Sequence, residues 1–225
     1  MCNWYYFCSM SFNIVPDNLQ QYCNTFSTPE NEVLKNLDRH TNANILQPRM
    51  ISGHFQGRFL SMISHMIKPK YILEIGTYTG YSAICLAEGL QPDGKLFTID
   101  VNPENEELVN DFILQSGNKG KILHIIGDAY QITRTLKHPF DLVFIDADKP
   151  NYEKYYELVM EIIPAGAYIL LDNVLWSGKV LDNTAIEKNR DTKILHELNI
   201  KITEDSRVEN ILLPIRDGLM LVRKI

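Results

Sequence analysis

LEIGTYTGYS, residues 73–82, starts as a strand, breaks on two glycines and restarts as a helix. The apolar run that leads into it, from Tyr71 to Ile75, carries one acid, Glu74. The run that leaves it, Tyr81–Leu90, is apolar at helical spacing and stops near Pro92-Asp93-Gly94. Glycines between a strand and a helix point to a nucleotide site. The spacing from Gly76 to Gly80 is not GxGxxG, so the dinucleotide fingerprint is absent. A buried carboxylate at Glu74 also repels a pyrophosphate, but it suits an ammonium or a sulfonium. The next strand ends in Asp100, where an acid can accept hydrogen bonds from both hydroxyls of a ribose. Glu74, the glycine turn and Asp100 together describe a positively charged nucleoside, which fits S-adenosylmethionine. Taken alone, the glycines need be no more than a tight turn; the two acids in register favour the cofactor.

Working outward, strands and helices alternate. Strands are expected at Tyr71–Ile75, Lys95–Ile99, Lys121–Ile126, Phe140–Ile145 and Ala167–Leu171. Helices are expected at 53–67, Tyr81–Leu90, Pro103–Gln115, 129–137 and Tyr152–Ile163. Such alternation implies an α/β fold with a mostly parallel sheet and helices on both faces. Residues 17–47 are polar and helix-like, with entries at Pro16-Asp17 and Thr28-Pro29-Glu30. The tail reads as a helix near 184–198, then an antiparallel hairpin, Val208–Pro214 and Gly218–Arg223, turning through Arg216-Asp217-Gly218.

Two of these strands end in charge. FIDADKPNY (144–152) releases Asp146, Asp148 and Lys149, and YILLDNV (168–174) ends in Asp172 and Asn173. One helix separates the two strands, so a right-handed crossover makes them parallel, with their carboxyl ends on one edge. Asp146, Asp172 and Asn173 can then converge. Two carboxylates and an amide are hard oxygen ligands; three cannot fill a calcium shell without water or substrate, so Mg2+ is expected first, with Mn2+ or Ca2+ left as alternatives. Lys149 reaches the same space, where a lysine beside a cation can take a proton. Each residue alone has a plainer reading, as a helix cap or a turn residue; the combination at neighbouring strand ends is what carries the metal reading. Trp176 either walls the substrate or packs. Tyr152 reads as structural, Met50 and Tyr78 as candidates to line the cofactor, and the six histidines as structural or exposed.

Length and composition agree with one domain. The chain has 225 residues, 45% of them hydrophobic, and a net charge of −6 with acids and bases interspersed. Nothing resembles the basic stripe of a nucleic-acid binder, and no apolar run reaches the ~18 residues of a membrane span. Cys2, Cys8, Cys23 and Cys85 form no CxxC or zinc spacing and read as reduced thiols of a cytoplasmic protein. The start, MCNWYYFCSM, lacks the basic region of a signal peptide. Residues 1–15 are read as an N-terminal extension, with Met10 an alternative start, and 16–225 as a single domain.

The motifs RMISGHFQGRFL, LEIGTYTGYS, TIDVNP, GDA, FIDADKPNY, LLDNVLWSGKV and DGLMLVRKI, in this order, resemble the cation-dependent S-adenosylmethionine O-methyltransferases. That family includes the caffeoyl-CoA and catechol enzymes, and the likeness spans 16–225. It is closest to bacterial relatives of the caffeoyl-CoA type. The resemblance implies a Rossmann-like class I methyltransferase fold, a seven-stranded sheet with the C-terminal antiparallel hairpin, and a homodimer. It assigns Glu74, Gly76, Thr77, Ser82, Asp100, Ala129 and Asp148 to the cofactor, with Ser52 near its methionine moiety. It matches Asp146, Asp172 and Asn173 to the metal ligands and Lys149 to the base. Ser177 stands where the plant enzymes place a substrate-contacting asparagine, and EKNRDTK (187–193) is thin in the arginines and tyrosines that face acyl-CoA there. Asp148 replaces the tryptophan of the animal catechol enzymes, which favours the bacterial and plant branch. The expected acceptor is a small catechol-like phenol. A nicotinamide-dependent reductase would want GxGxxG and a Tyr/Lys pair, and a non-catalytic binding module should have lost Asp146, Lys149, Asp172 or Asn173.

Overall fold

The computed structural model describes residues 14–225. Most of the proposed extension, including Met10, Cys2 and Cys8, lies outside that range. Among the described residues seven strands form one sheet: β1 (Tyr71–Ile75), β2 (Lys95–Asp100), β3 (Ile122–Ile126), β4 (Leu142–Ile145), β5 (Tyr168–Asp172), β6 (Val208–Leu213) and β7 (Leu219–Lys224). Their spatial order is β3-β2-β1-β4-β5-β7-β6. The first five run parallel, while β7 is antiparallel to both β5 and β6, so the hairpin inserts its second strand next to the parallel sheet. The helices are α1 (Asp17–Thr25), α2 (Glu32–Asn44), α3 (Gly53–Ile67), α4 (Tyr81–Ala87), α5 (Glu106–Gln115), α6 (Ala129–Thr135), α7 (Tyr152–Ile162), α8 (Asn183–Lys188) and α9 (Arg190–Glu204).

The sheet is buried on both faces, which is why its central strands are apolar at nearly every position. Leu73, Ile75, Val143, Ile145, Ile169 and Leu171 pack on one face with residues of α7 and α9. Ile72, Leu96, Leu142, Phe144 and Leu170 pack on the other with Leu60 of α3 and Ile84 of α4.

Several expected elements differ at their ends. The helix expected at 184–198 is two, because the Asn189 carboxamide oxygen accepts the Thr192 N–H at 2.9 Å and starts α9 afresh. The helix expected from Pro103 opens as a 3-10 turn, Pro103–Asn105, before α5. The helix from Tyr81 ends at Ala87 rather than Leu90. Gly89 follows, and a Cβ there would lie 2.2 Å from the Ser64 carbonyl carbon, so α3 crosses too closely for any side chain. Polar residues 17–47 give α1 and α2, the second capped by Asn31. Cys23 and Cys85 are free thiols, and among the described residues no helix is long and apolar enough to cross a membrane.

Candidate active site

The sheet register builds the site. Ile75 is paired with Ile99 on one side and with Ile145 on the other, and Ile145 with Leu171. One residue further along these four strands stand Asp100, Gly76, Asp146 and Asp172. Side chains alternate along a strand, so all four positions lie on the face that carries Ile72, Phe144 and Leu170, the α3 side. Three carboxylates and a glycine therefore line up across the carboxyl edge. Glycine holds the middle for a steric reason: Gly76 has φ +99°, and a Cβ on it would meet the Asp146 carbonyl oxygen at 2.2 Å.

Two residues back on the same face is Glu74, fully buried. Its Oε2 accepts the Thr98 hydroxyl at 2.5 Å, and Thr98 is in turn 2.6 Å from the Thr77 hydroxyl. Oε1 has no hydrogen-bond partner. The Ser82 hydroxyl favours the anion from nearby without closing a bond of ordinary geometry. Burial pushes the Glu74 carboxyl up to about 8 against the hydroxyls of Ser82 and Thr98, with the charges of Asp146 and Asp100 adding to the rise. An orphaned, buried carboxylate oxygen beside a glycine turn fits a cationic ligand group.

Asp100 is more committed than its sequence position implied. Its Oδ2 accepts the N–H groups of Thr77 (3.0 Å) and Tyr78 (2.8 Å), and Oδ1 that of Asn102 (2.9 Å). Three of about four carboxylate lone-pair sites are thereby used, so Asp100 clamps the glycine turn first and has limited capacity left for a ribose. Tyr78, at φ +50°, turns its hydroxyl onto the Leu46 and Gln47 carbonyls (3.1 and 3.3 Å) and ties down the segment that carries the exposed Met50. Ser52 is buried at the entry of α3. Ala129 opens α6, and exposed Asp148 accepts the Tyr155 hydroxyl at 3.2 Å.

Beyond Gly76 lies the second cluster. Lys149, 9% exposed, donates from Nζ to Asn173 Oδ1 (2.6 Å), the Tyr152 hydroxyl (2.6 Å) and the Ala147 carbonyl (3.1 Å), with Asp146 Oδ1 at 3.5 Å. Asp172, 3% exposed, accepts its neighbour Asn173's N–H on Oδ1 (2.7 Å) and the Gln56 amide on Oδ2 (2.6 Å). Burial, then the charge of Asp146, raises the Asp172 carboxyl above its usual range. The ammonium meets Asp146 and the Asn173 amide oxygen, and the Asp172 carboxylate, repelled by that of Asp146, is held beside them by the Asn173 N–H. Two acids and an amide oxygen make a donor set that fits a hard divalent cation. Among the described residues no three His, Cys, Asp or Glu side chains gather as a metal site; the third donor here is the amide of Asn173. Asn173, Trp176 and Ser177 all have positive φ, from +48° to +60°. This uncommon backbone is held by the β6–β7 loop. The Gly218 and Asp217 carbonyls accept the N–H groups of Val174 (3.1 Å) and Leu175 (2.9 Å), and the Asp217 carboxylate accepts that of Ser177. Trp176 lies with its ring 5.9 Å from Lys149 Nζ, and its buried indole N–H has no acceptor.

Asp146, Lys149, Asp172 and Asn173 are thus brought together, and Glu74, Gly76, Thr77, Ser82 and Asp100 cluster beside them around the glycine turn. Sequence reasoning missed Gln56, Arg216 and Asp217, and it set Tyr152 aside as structural. Tyr152 is buried against the Lys149 ammonium and also donates to the Asp172 carbonyl at 3.1 Å. Its spacing three residues after Lys149 was the available signal. Arg216 donates to the carbonyls of Ile51 (2.6 Å), Ser52 and Arg49 (3.3 Å), and in the sequence it looked like a turn residue only.

The model of the O-methyltransferase family matches residues 24–225. The chain is 36% identical over 187 residues to caffeoyl-CoA O-methyltransferase 1 of Eucalyptus globulus, covering 78% of this chain and 75% of that protein. It is 34% identical over 208 residues to the caffeoyl-CoA O-methyltransferase of Medicago sativa, covering 87% and 83%. Among solved structures, the SAH-bound methyltransferase PaMTH1 of Podospora anserina superposes with a TM-score of 0.85 at 27% identity, over 93% of this chain and 94% of that one. The Bacillus cereus O-methyltransferase in complex with SAH gives 0.83 at 29%, over 92% and 97%.

Proposed function

The chain belongs to the O-methyltransferase family, and from its S-adenosylmethionine-dependent chemistry we propose that it methylates one hydroxyl of a small catechol-like phenol with the help of a divalent cation. The observation that carries this reading is the convergence of Asp146, Asp172 and Asn173 at one sheet edge, with the Lys149 ammonium bonded to Asp146 and Asn173. When bound, the cofactor supplies an electrophilic methyl on a sulfonium, and the cation supplies Lewis acidity to the acceptor oxygens. The chain's own residues do the rest. Glu74, with its orphaned oxygen, offers a countercharge to the cofactor's positive end. Asp100, through Thr77 and Tyr78, holds the glycine turn on which the cofactor would lie, and Ser52, Gly76, Ser82, Ala129 and Asp148 would complete its contacts.

Asp146, Asp172 and Asn173 would hold the cation, Mg2+ first. Lys149, held by Tyr152 and the Ala147 carbonyl, takes the phenolic proton at Nζ once its own ammonium proton has been shed. Burial, then the Asp146 charge, keeps the Tyr152 hydroxyl protonated, so Tyr152 orients the lysine and does not compete for that proton. Trp176 and Ser177 border the acceptor. A thin EKNRDTK segment favours a free phenol over a CoA ester. We further propose that the protein is cytoplasmic and pairs as a homodimer, and that residues 16–225 act as one domain.

The test is methyl transfer from S-adenosylmethionine to catechol, caffeate, caffeoyl-CoA and a nitrocatechol, read by mass spectrometry with chelator and after Mg2+ add-back, for wild type and Lys149→Met. Turnover should vanish with chelator and return with Mg2+. The variant should lose roughly 10²–10⁴-fold on the simple catechol and less on the nitrocatechol, whose hydroxyl ionises more easily. Metal-independent turnover would remove the cation from the reading. An equal loss on both catechols would make Lys149 an orienting residue and not a base.

A further inference from the structure

One ligand of the proposed cation site is oriented from a helix far away in the chain. Gln56 of α3, 1% exposed, donates its Nε2–H to Asp172 Oδ2 at 2.6 Å across 116 residues of sequence. Because Oδ1 already accepts the Asn173 N–H, the carboxylate is gripped at both oxygens and its rotation is set.

The placement of Gln56 is itself over-determined. Its neighbour Gly57 lets α3 approach α4: a Cβ at Gly57 would lie 2.6 Å from Tyr81 Cε1 and 2.8 Å from Cys85 Sγ. The same helix is anchored at its entry by Arg216 on the Ile51 and Ser52 carbonyls. Gln56 and Leu60, four apart on the helix, are both turned inward, and Leu60 is fully buried in the core. A second leucine at 56 would satisfy packing alone. An inward-facing amide costs free energy unless it is hydrogen-bonded, and this one spends its donor on Asp172. A lysine or arginine here would also bind Asp172, but it would cancel the negative charge. The neutral amide orients the carboxylate and leaves its charge for a cation.

We propose that Gln56 is a positioning residue of the cation site, fixing the Asp172 carboxylate as a ligand without neutralising it. The proposal rests on the reading of Asp146, Asp172 and Asn173 as cation ligands. Partners that orient a metal ligand in this way typically account for about 10–100-fold in metal affinity.

The full chain, wild type and Gln56→Met, is titrated with Mn2+ alone, with free Mn2+ followed by electron paramagnetic resonance. S-adenosylhomocysteine affinity is measured by calorimetry on the same samples. Gln56→Met keeps the length and removes the donor. It should weaken Mn2+ about 10–100-fold and leave S-adenosylhomocysteine affinity unchanged. Gln56→Asn, one methylene short of Asp172, should behave in the same way and serves if the methionine variant does not fold. Unchanged Mn2+ affinity overturns the proposal. Parallel loss of both affinities also overturns it, since Gln56 would then merely hold α3 in place. A wild type that binds no Mn2+ overturns the cation reading itself, a result distinct from either.

Discussion

At the scale of single residues, Glu74 is the most informative. A carboxyl in the interior of a parallel sheet is costly unless something compensates. Here burial is opposed only by the Ser82 and Thr98 hydroxyls, while Asp146 and Asp100 add negative charge, so the group is raised from its ordinary 4.5 to about 8. The consequence for stability has a definite sign. Between those values the native state holds a proton that the unfolded chain has lost. Stability of the cofactor-free protein should therefore fall as pH rises across this window, by at most about 1.4 kcal/mol per pH unit. Glu74→Gln keeps the shape without ionising. In denaturant unfolding it should match wild type near the acid end of the window and exceed it by a growing margin toward about pH 8. A margin that does not change with pH would mean that Glu74 does not hold a proton in the native state. A cation at the orphaned Oε1 would reverse the preference and favour the carboxylate, which gives the residue its use.

Among elements, the loop between β6 and β7 joins the two walls of the site. Arg216 grips the carbonyls of Arg49, Ile51 and Ser52, on the segment that enters α3. Asp217 and Gly218 grip Val174, Leu175 and Ser177 after β5. The contact with Leu175 leaves no space at Gly218, where a Cβ would come within 2.4 Å of Leu175 Cγ. Arg216→Met should free the first wall while leaving the second in place. Charge-assisted hydrogen bonds contribute about 1.5–3 kcal/mol, so cofactor affinity should fall by roughly tenfold or more, with a smaller effect on Mn2+. Calorimetric titration of both ligands decides: a variant that loses only Mn2+ would show that the loop serves the metal side and not Ser52. The local sequence PIRDG announced a turn, and a turn it is; that its arginine would reach back to residues 49–52 is not a local property.

For the whole molecule, the strand order sets what meets what. β6 forms one edge of the sheet, with Ile211 54% exposed, and α3 presents Met62 and Met66 at 62% and 76%. An open edge strand and exposed apolar side chains are each surface that proteins tend to cover. Light scattering is expected to give the mass of a homodimer across micromolar concentrations; a monomer throughout would count against pairing. Much of this architecture was legible in the chain itself. Alternating apolar runs and helical patterns, punctuated by Gly and Pro, determine a mostly parallel sheet, because strand period, helix period and turn chemistry are local properties. The strand-end positions of Glu74, Asp100, Asp146 and Asp172 were legible for the same reason, and the parallel crossover puts their ends on one edge. Only the tertiary structure decided that Ile75, Ile99, Ile145 and Leu171 stand in register. That register turns scattered acids into one row and requires glycine at position 76. Only it decided that Gln56 meets Asp172, that Tyr152 and Asn173 share the Lys149 ammonium, and that Asp100 spends most of its capacity on the glycine turn. Apart from Lys149 and Tyr152, three residues apart, each of these joins groups far apart in sequence, brought together by the strand order and by the packing of α3 on the sheet. Periodicity says which face a residue takes, but not which partner waits there.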